Sequence, residues 1–301
     1  MVVSNSKISI IITVFNEANF ISKCISSLLN QIYKKFELII IDSNSTDNTA
    51  SIICSFKDKR IKYIKTKKRV SIAKGRNIGI KHATGRYVFF IDADCIASKT
   101  WLRNGIKRFK EGVVGVEGKT YYASKNYVPS FSDKIRKNNI FEKWGQNGGE
   151  YFSCNIAYTK EVLSILNGFD ERYENMFEDR DLGLRANRKG KIVFCKKMEV
   201  FHQKRIFSIK SLLKESNYGN IVLLIKDHKD KNIFVGLGVF ACPVWLSIMI
   251  CPPLLFFYFR FFKQKPKSFY DLILLPFYYL RSIVIRYNIW ESAIKEKVFV
   301  I

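Results

Sequence analysis

The chain has 301 residues, 48% hydrophobic and 26% charged, a composition that excludes a disordered or collagen-like polymer and allows one large domain or a domain with an appendage. Against 26 Asp and Glu stand 51 Lys and Arg, a formal net charge of +25 that points to polyanionic partners, either nucleic acid or an anionic membrane face. Seven cysteines with no C-x-x-C pair signal neither a disulfide framework nor a zinc site, so reduced thiols are expected.

Ile8 to Phe15 is a short apolar, β-branched run, the pattern of a strand buried on both faces. It ends at polar Asn16 and Glu17, too soon for a secretory signal, which predicts a cytosolic or cytoplasmic-side protein. Phe20, Ile21, Cys24, Ile25, Leu28 and Leu29 then recur at helical spacing. The unit repeats with a strand over Phe36–Ile41, a polar run from Asp42 to Thr49 and a helix through about Phe56. A third strand is expected at Ile61–Ile64, a helix at Ile72–His82 and a fourth strand at Tyr87–Ile91, ending in Asp92-Ala93-Asp94. Strands alternating with helices predict an α/β fold with right-handed crossovers and a mainly parallel sheet, whose ligands bind beyond the carboxyl ends of the strands. The polar residues at 16–17, 42–49 and 92–94 all fall at such ends.

Residues 113 to 200 are less regular, with short strand candidates and one helix at about 179–189, and are read as a mixed half completing the same sheet. From 233 the composition shifts: Ile233 to Phe259 holds no Asp, Glu, Lys, Arg or His for 27 residues, and a second apolar stretch runs from Phe269 to Ile285. As one helix the first would extend about 40 Å, more than the roughly 30 Å of a bilayer core, but Pro252-Pro253 interrupts it. Basic residues flank both sides (Lys226, Lys229, Lys231; Arg260, Lys263, Lys265, Lys267), so a simple crossing would violate the positive-inside rule. A re-entrant or interfacial hairpin on the cytoplasmic face is expected, with a spanning anchor as the alternative and a buried soluble hairpin as the third reading.

Asp92 and Asp94 follow a fully apolar strand. Two neighbouring carboxylates that stay ionised need a cation, and a hard oxygen site suits Mg²⁺ or Mn²⁺ shared with a diphosphate, although helix capping explains many isolated D-x-D pairs. Here the pair is not isolated. Thr13-Val14-Phe15-Asn16-Glu17, Asp42-Ser-Asn-Ser-Thr-Asp47, Arg76-Asn77-Ile-Gly79, Gly85-Arg86-Tyr, Asp92-Ala93-Asp94, Gly168-Phe-Asp-Glu171, Glu178-Asp179-Arg-Asp181-Leu-Gly-Leu-Arg185 and His202 occur in order. Over residues 7 to 205 the chain resembles the family-2 glycosyltransferases of the GT-A fold.

The resemblance implies a catalytic domain over 1–205, with a nucleotide-sugar half at 1–112 and an acceptor half at 113–205. A basic amphipathic linker at 206–232 and apolar membrane-associating helices at 233–301 would follow. It implies an inverting transferase that moves one sugar from a nucleotide-diphospho-sugar to a saccharide or lipid-linked acceptor. Thr13, Phe15, Asn16, Glu17, Asp42, Arg69, Arg76, Asp92, Ala93 and Asp94 would line the donor, with Asp42 at the base and Arg76 beside the ribose and diphosphate. Asp94 and His202 would hold Mn²⁺ or Mg²⁺. Asp179 would be the general base, with Glu178 beside it, and Trp144, Gly149, Glu150 and Asp170 would meet the acceptor. Two departures stand out. Asp42-Ser43-Asn44 occurs where the family often has Asp-Asp-Gly, which leaves base preference open. Gln203-Lys204-Arg205 is followed by Ile206 with no nearby Trp, unlike the processive synthases. A non-catalytic basic protein on a degenerate fold is the rival reading. Between Lys57 and Arg86 lie twelve basic residues and one acid, Asp58; part of that charge is expected to serve a diphosphate. An anionic membrane surface, not nucleic acid, is the expected macromolecular partner.

Overall fold

The computed structural model describes residues 6–122, 148–174, 176–203, 220–228, 287–288 and 291–296. These fall into two compact units, the first taking 6–122, 148–174 and 178–203 and the second the remainder. The first unit is built on an eight-stranded sheet of order β3-β2-β1-β4-β7-β6-β8-β5. Its opening half is β1 (Ile8–Val14), α1 (Ile21–Leu29), β2 (Phe36–Asp42), α2 (Thr49–Ser55), β3 (Ile61–Lys65), α3 (Ile72–His82) and β4 (Tyr87–Phe90). These four strands are parallel, as the alternation of strand and helix patterns predicts.

The second half is mixed. β5 (Cys95–Ala97), α4 (Trp101–Ile106), β6 (Val113–Tyr122), β7 (Ile156–Thr159), α5 (Lys160–Ile165), α6 (Glu178–Asn187) and β8 (Lys191–His202) complete the unit. β7 runs antiparallel to both β4 and β6, β6 runs parallel to β8, and β5 runs antiparallel to β8. The sequence periodicity does not announce β5, α4 or α5, each of six residues or fewer, nor the twelve-residue length of β8. β8 carries exposed Lys196 and Lys197 and a register shift against β6 between Gly118 and Lys119, so its alternation breaks midway.

The continuous apolar run of β1 is explained by burial on both faces. Ile8, Ile10, Ile12 and Val14 join the cluster containing α1 residues Ile21, Cys24, Ile25 and Leu28, while Ile11 joins the opposite cluster with Ile39, Ile41 and Ala73. α3 lies close to the sheet because Gly79 has no side chain: a Cβ there would stand 2.5 Å from Ile11 Cγ2. At the carboxyl ends, the loops after β1 and β2 are tied together. Asn16 adopts a left-handed φ of 57°. Its N–H donates to Ser45 Oγ at 3.0 Å and its Oδ1 accepts from Thr46 N–H at 2.9 Å, while Glu17 N–H donates to Thr49 Oγ1 at 2.8 Å.

A second tie holds the mixed half. Trp101 Nε1–H donates to Asn155 Oδ1 at 2.8 Å, and Asn155 Nδ2 donates to the carbonyls of Lys119 and Met198 at 2.9 and 3.0 Å, joining α4, β6, the turn before β7 and β8. Gly118 faces this junction. In the second unit, α7 (Asn220–His228) is the described helix of any length, with Asn220 Nδ2 donating to the Met176 carbonyl at 3.2 Å. Among the described residues no helix is long and apolar enough to cross a membrane, and the stretch 233–285 lies outside them.

A Cβ at Gly118 would sit 2.3 Å from the Met198 carbonyl oxygen and 2.4 Å from Asn155 Oδ1. Gly118→Ala is therefore expected to lower unfolding free energy by about 2 kcal/mol or more, measured by urea denaturation. An unchanged midpoint would contradict the described junction.

Candidate active site

The site is organised around a buried cation. Arg76 lies on α3 and is only 5% exposed. Its Nη1 meets Glu178 Oε1 at 2.5 Å and its Nη2 meets Asp92 Oδ1 at 3.2 Å, while the guanidinium carbon lies 5.4 Å from the Phe169 ring centre. A buried guanidinium is tolerable only when paired, and here its two anions come from the two halves of the sheet: Asp92 follows β4 and Glu178 opens α6. Glu178 is buried too. Burial, aided by the neighbouring Asp179 charge, pushes its carboxyl up to about 7 despite the guanidinium. Its Oε2 has no hydrogen-bond partner among the described residues. Asp92 differs: about a third of its side chain is exposed, so it opens toward the surface while Arg76 and Glu178 do not.

Beside this clamp, Asp94 Oδ1 lies 3.6 Å from His202 Nε2 and 3.8 Å from Cys95 Sγ, and one ligand atom from each residue lies within 4.8 Å of the others. The antiparallel pairing of β5 with β8 sets Cys95 opposite His202, and Gln203 N–H donates to the Asp94 carbonyl at 2.7 Å. Burial, with Cys154 as hydrogen-bond partner, pushes the Cys95 thiol well up. The Asp94 carboxylate and the His202 imidazole are the harder donors of the three. That pair could hold a divalent ion that accepts both oxygen and nitrogen, Mn²⁺ or Mg²⁺.

Asp179 is half-buried at the start of α6. Its Oδ2 accepts from Ser153 N–H at 3.0 Å and Ser153 Oγ at 3.2 Å, and its Oδ1 accepts from Arg180 N–H at 2.8 Å. These three hydrogen bonds fix the orientation of the carboxylate at the helix N-terminus.

A paired-carboxylate clamp, an Asp–His cluster and a helix-borne acid thus gather at the carboxyl ends of the parallel strands of one mixed sheet. The glycosyl transferase family 2 model matches residues 9–166, more than half of the chain. The chain belongs to this family. It is 37% identical over 183 residues to an uncharacterized glycosyltransferase of Rickettsia conorii, covering 59% of this chain and 28% of that one. It is 38% identical over 158 residues to the Escherichia coli UDP-Glc:alpha-D-GlcNAc-diphosphoundecaprenol beta-1,3-glucosyltransferase WfaP, covering 52% and 60%. The chain therefore spans between about a quarter and three fifths of the length of these relatives. Among solved structures, the mannosyltransferase PcManGT of Pyrobaculum calidifontis, in complex with GDP-Man and Mn²⁺, aligns with a TM-score of 0.62 at 17% identity over 97% of this chain and 87% of that one. S. aureus TarS in complex with UDP-GlcNAc aligns with a TM-score of 0.54 at 16% identity over 97% and 93%. These likenesses establish the GT-A fold.

In this family-2 glycosyltransferase the residues singled out in the sequence divide into groups. Arg76, Asp92, Glu178 and Asp179 converge, as do Asp94 and His202. Ala93 is buried between the paired acids. Thr13 lies near the end of β1 and Phe15, Asn16 and Glu17 follow it, with the Arg69 guanidinium covering the Phe15 ring at 4.1 Å from its centre. Asp42 is fully buried and already engaged, accepting from Ser45 N–H at 2.7 Å and Tyr63 OH at 2.6 Å. Asp170 is held by its neighbour Arg172, whose guanidinium Nη2 lies 2.6 Å away. Gly149 and Glu150 belong to the turn 148–151, and Trp144 lies outside the described residues. Two residues escaped the sequence reading. Ser153 gives no pattern signal. Glu117 does, as a lone acid inside the apolar strand Val113–Tyr122: it is 2% exposed and accepts from Gly149 N–H at 2.6 Å and Tyr151 N–H at 2.9 Å.

Arg76→Met leaves Glu178 and Asp92 without their cation, and an orphaned buried charge costs about 3–5 kcal/mol. Urea denaturation is expected to register a loss of that order, and a loss below about 1 kcal/mol would contradict the clamp.

The buried acids also set a pH dependence. Burial pushes the Glu117 carboxyl up to about 7 from an ordinary 4.5. Between these values the folded chain holds a proton that the unfolded chain releases. Stability therefore falls as pH rises from about 4.5 to 7, by up to about 3 kcal/mol. Hydrogen bonds from Arg60 instead hold Asp58 down at about 2, so its contribution is lost only in stronger acid. Denaturation midpoints at pH 5 and 8 check this; a midpoint that rises with pH would contradict it.

Proposed function

We propose that the protein is an inverting, metal-dependent transferase that moves one sugar from a nucleotide-diphospho-sugar to a lipid-linked saccharide or polyprenyl-phosphate at the cytoplasmic face of a membrane. The observation that carries the reading is the convergence of Asp92, Asp94, His202 and Asp179 at the carboxyl end of the sheet in a family-2 chain.

Phe15, Asp42 and Arg69 offer an aromatic face, an acceptor and a cation to the nucleotide, and Arg76 fixes Asp92 at the rim. Asp94 and His202 would hold a divalent ion. When bound, that ion neutralises the charge that develops on the departing diphosphate. Asp179 accepts the proton of the acceptor hydroxyl at a carboxylate oxygen while that hydroxyl oxygen bonds to the anomeric carbon. The bond from that carbon to the phosphate oxygen breaks on the opposite side, so the nucleoside diphosphate leaves with its electron pair and the configuration inverts. Ser153 and the start of α6 hold Asp179 still during this step.

Membrane attachment is proposed through 233–285, whose apolar stretches have basic residues on both flanks. The acceptor class rests on that attachment and on the acceptor named for the E. coli relative. A non-catalytic basic binding protein would not need Asp179 or a metal.

Asp179→Asn is expected to lower kcat about 100- to 10,000-fold while nucleotide-sugar binding, read by thermal shift, is retained. Removing metal with EDTA should abolish turnover and added Mn²⁺ should restore it. Full turnover by the Asn variant would remove Asp179 as the base.

A further inference from the structure

Glu117 is a buried acid on β6 that no step above uses, and its surroundings lead to Asp179. Its two carboxylate oxygens accept separately from Gly149 N–H at 2.6 Å and Tyr151 N–H at 2.9 Å. These amides belong to a turn with left-handed φ at Gly148 (83°), Gly149 (94°) and Tyr151 (61°). Glycines adopt such angles freely, but an aromatic residue does so only where the surroundings hold it. Two neighbouring N–H groups turned inward make a concavity suited to an anion, and Glu117 fills it from within the sheet.

The same turn grips α6 at two points. Tyr151 packs where Gly183 lacks a side chain, since a Cβ there would lie 2.2 Å from Tyr151 Cγ. Two residues on, Ser153 gives both its N–H and its hydroxyl to Asp179 Oδ2, at 3.0 and 3.2 Å. Asp179 and Gly183 are four residues apart and share one helix face, so the turn clamps the face that carries the proposed base.

We infer that Glu117 is a positioning residue for transfer: its carboxylate shapes the 148–151 turn so that Ser153 orients Asp179, and the turn is presented rigidly to the acceptor. The inference rests on the proposed role of Asp179. A carboxylate is needed because both inward N–H groups require an acceptor. Glutamine retains one acceptor and turns its amide N–H₂ against the other donor, at nearly unchanged size.

The test uses the full chain. Glu117→Gln is expected to lower kcat at least tenfold with donor affinity, from nucleotide-sugar thermal shifts, within twofold of the unaltered chain. In the Asp179→Asn background Glu117→Gln is expected to cost nothing further, because both act through one group. Multiplicative losses, or an unchanged kcat, would overturn the inference. Amide hydrogen exchange supplies a readout independent of turnover: protection at Gly149, Tyr151 and Ser153 should fall together in Glu117→Gln. Ser153 protection that survives would overturn the inference even where the chain transfers no sugar, whereas absent turnover by the unaltered chain would count against the transferase reading alone. Should Glu117→Gln not fold, Glu117→Asp, which keeps the charge one methylene short, is held to the same outcomes.

Discussion

The buried guanidinium of Arg76 is the constraint on which the site depends. A cation that is 5% exposed must find anions within reach, and the two it finds come from opposite halves of the sheet. Asp92 leaves the last of the four parallel strands and Glu178 begins the helix of the mixed half. The clamp thus fixes the distance between the acids nearest the expected donor and the acid that would activate the acceptor. Glu178 stays buried because Arg76 is there, and in turn keeps Arg76 from turning toward solvent. The pair is better regarded as registration of two half-sites than as a source of stability, since buried ion pairs contribute little net free energy while broken ones are costly.

Around the clamp, glycines and polar side chains set the distances. Gly79 lets α3 approach β1, which puts Arg76 beneath the end of β4. Asn155 ties α4, β6 and β8, and the β5–β8 pairing carries His202 to Asp94. The Asn16–Thr46 and Glu17–Thr49 bonds fuse the first two loops into one rim. Each of these is a local, testable contact, and together they place polar groups where the parallel half of the sheet ends.

Much of this was legible in the sequence. β1, β2 and β4 followed from apolar runs that burial on both faces makes continuous, β3 and α1 to α3 followed from apolar residues spaced between polar loops, and α3 spans the expected Ile72–His82. The carboxylates at strand ends and the ordered motifs pointed to the family that the match at residues 9–166 establishes. The mixed half was less legible for physical reasons. Its short helices hold too few turns for a period to emerge, and β8 alternates on one side of a register shift only. Pairings such as Arg76 with Glu178, 102 residues apart, and Ser153 with Asp179 are products of topology that no local pattern encodes. Asp42 is a further case: its motif position suggests a ligand contact, and the bonds its carboxylate accepts from Ser45 and Tyr63 are not encoded there.

The central claim is that strand pairing and a buried clamp assemble a metal-assisted donor site from Asp94 and His202. Anomalous diffraction at the manganese edge, from crystals of the full chain grown with Mn²⁺ and a nucleoside diphosphate, tests it most directly. The account predicts an anomalous peak within coordination distance of both Asp94 and His202. Strong peaks elsewhere with none between these two residues would contradict it.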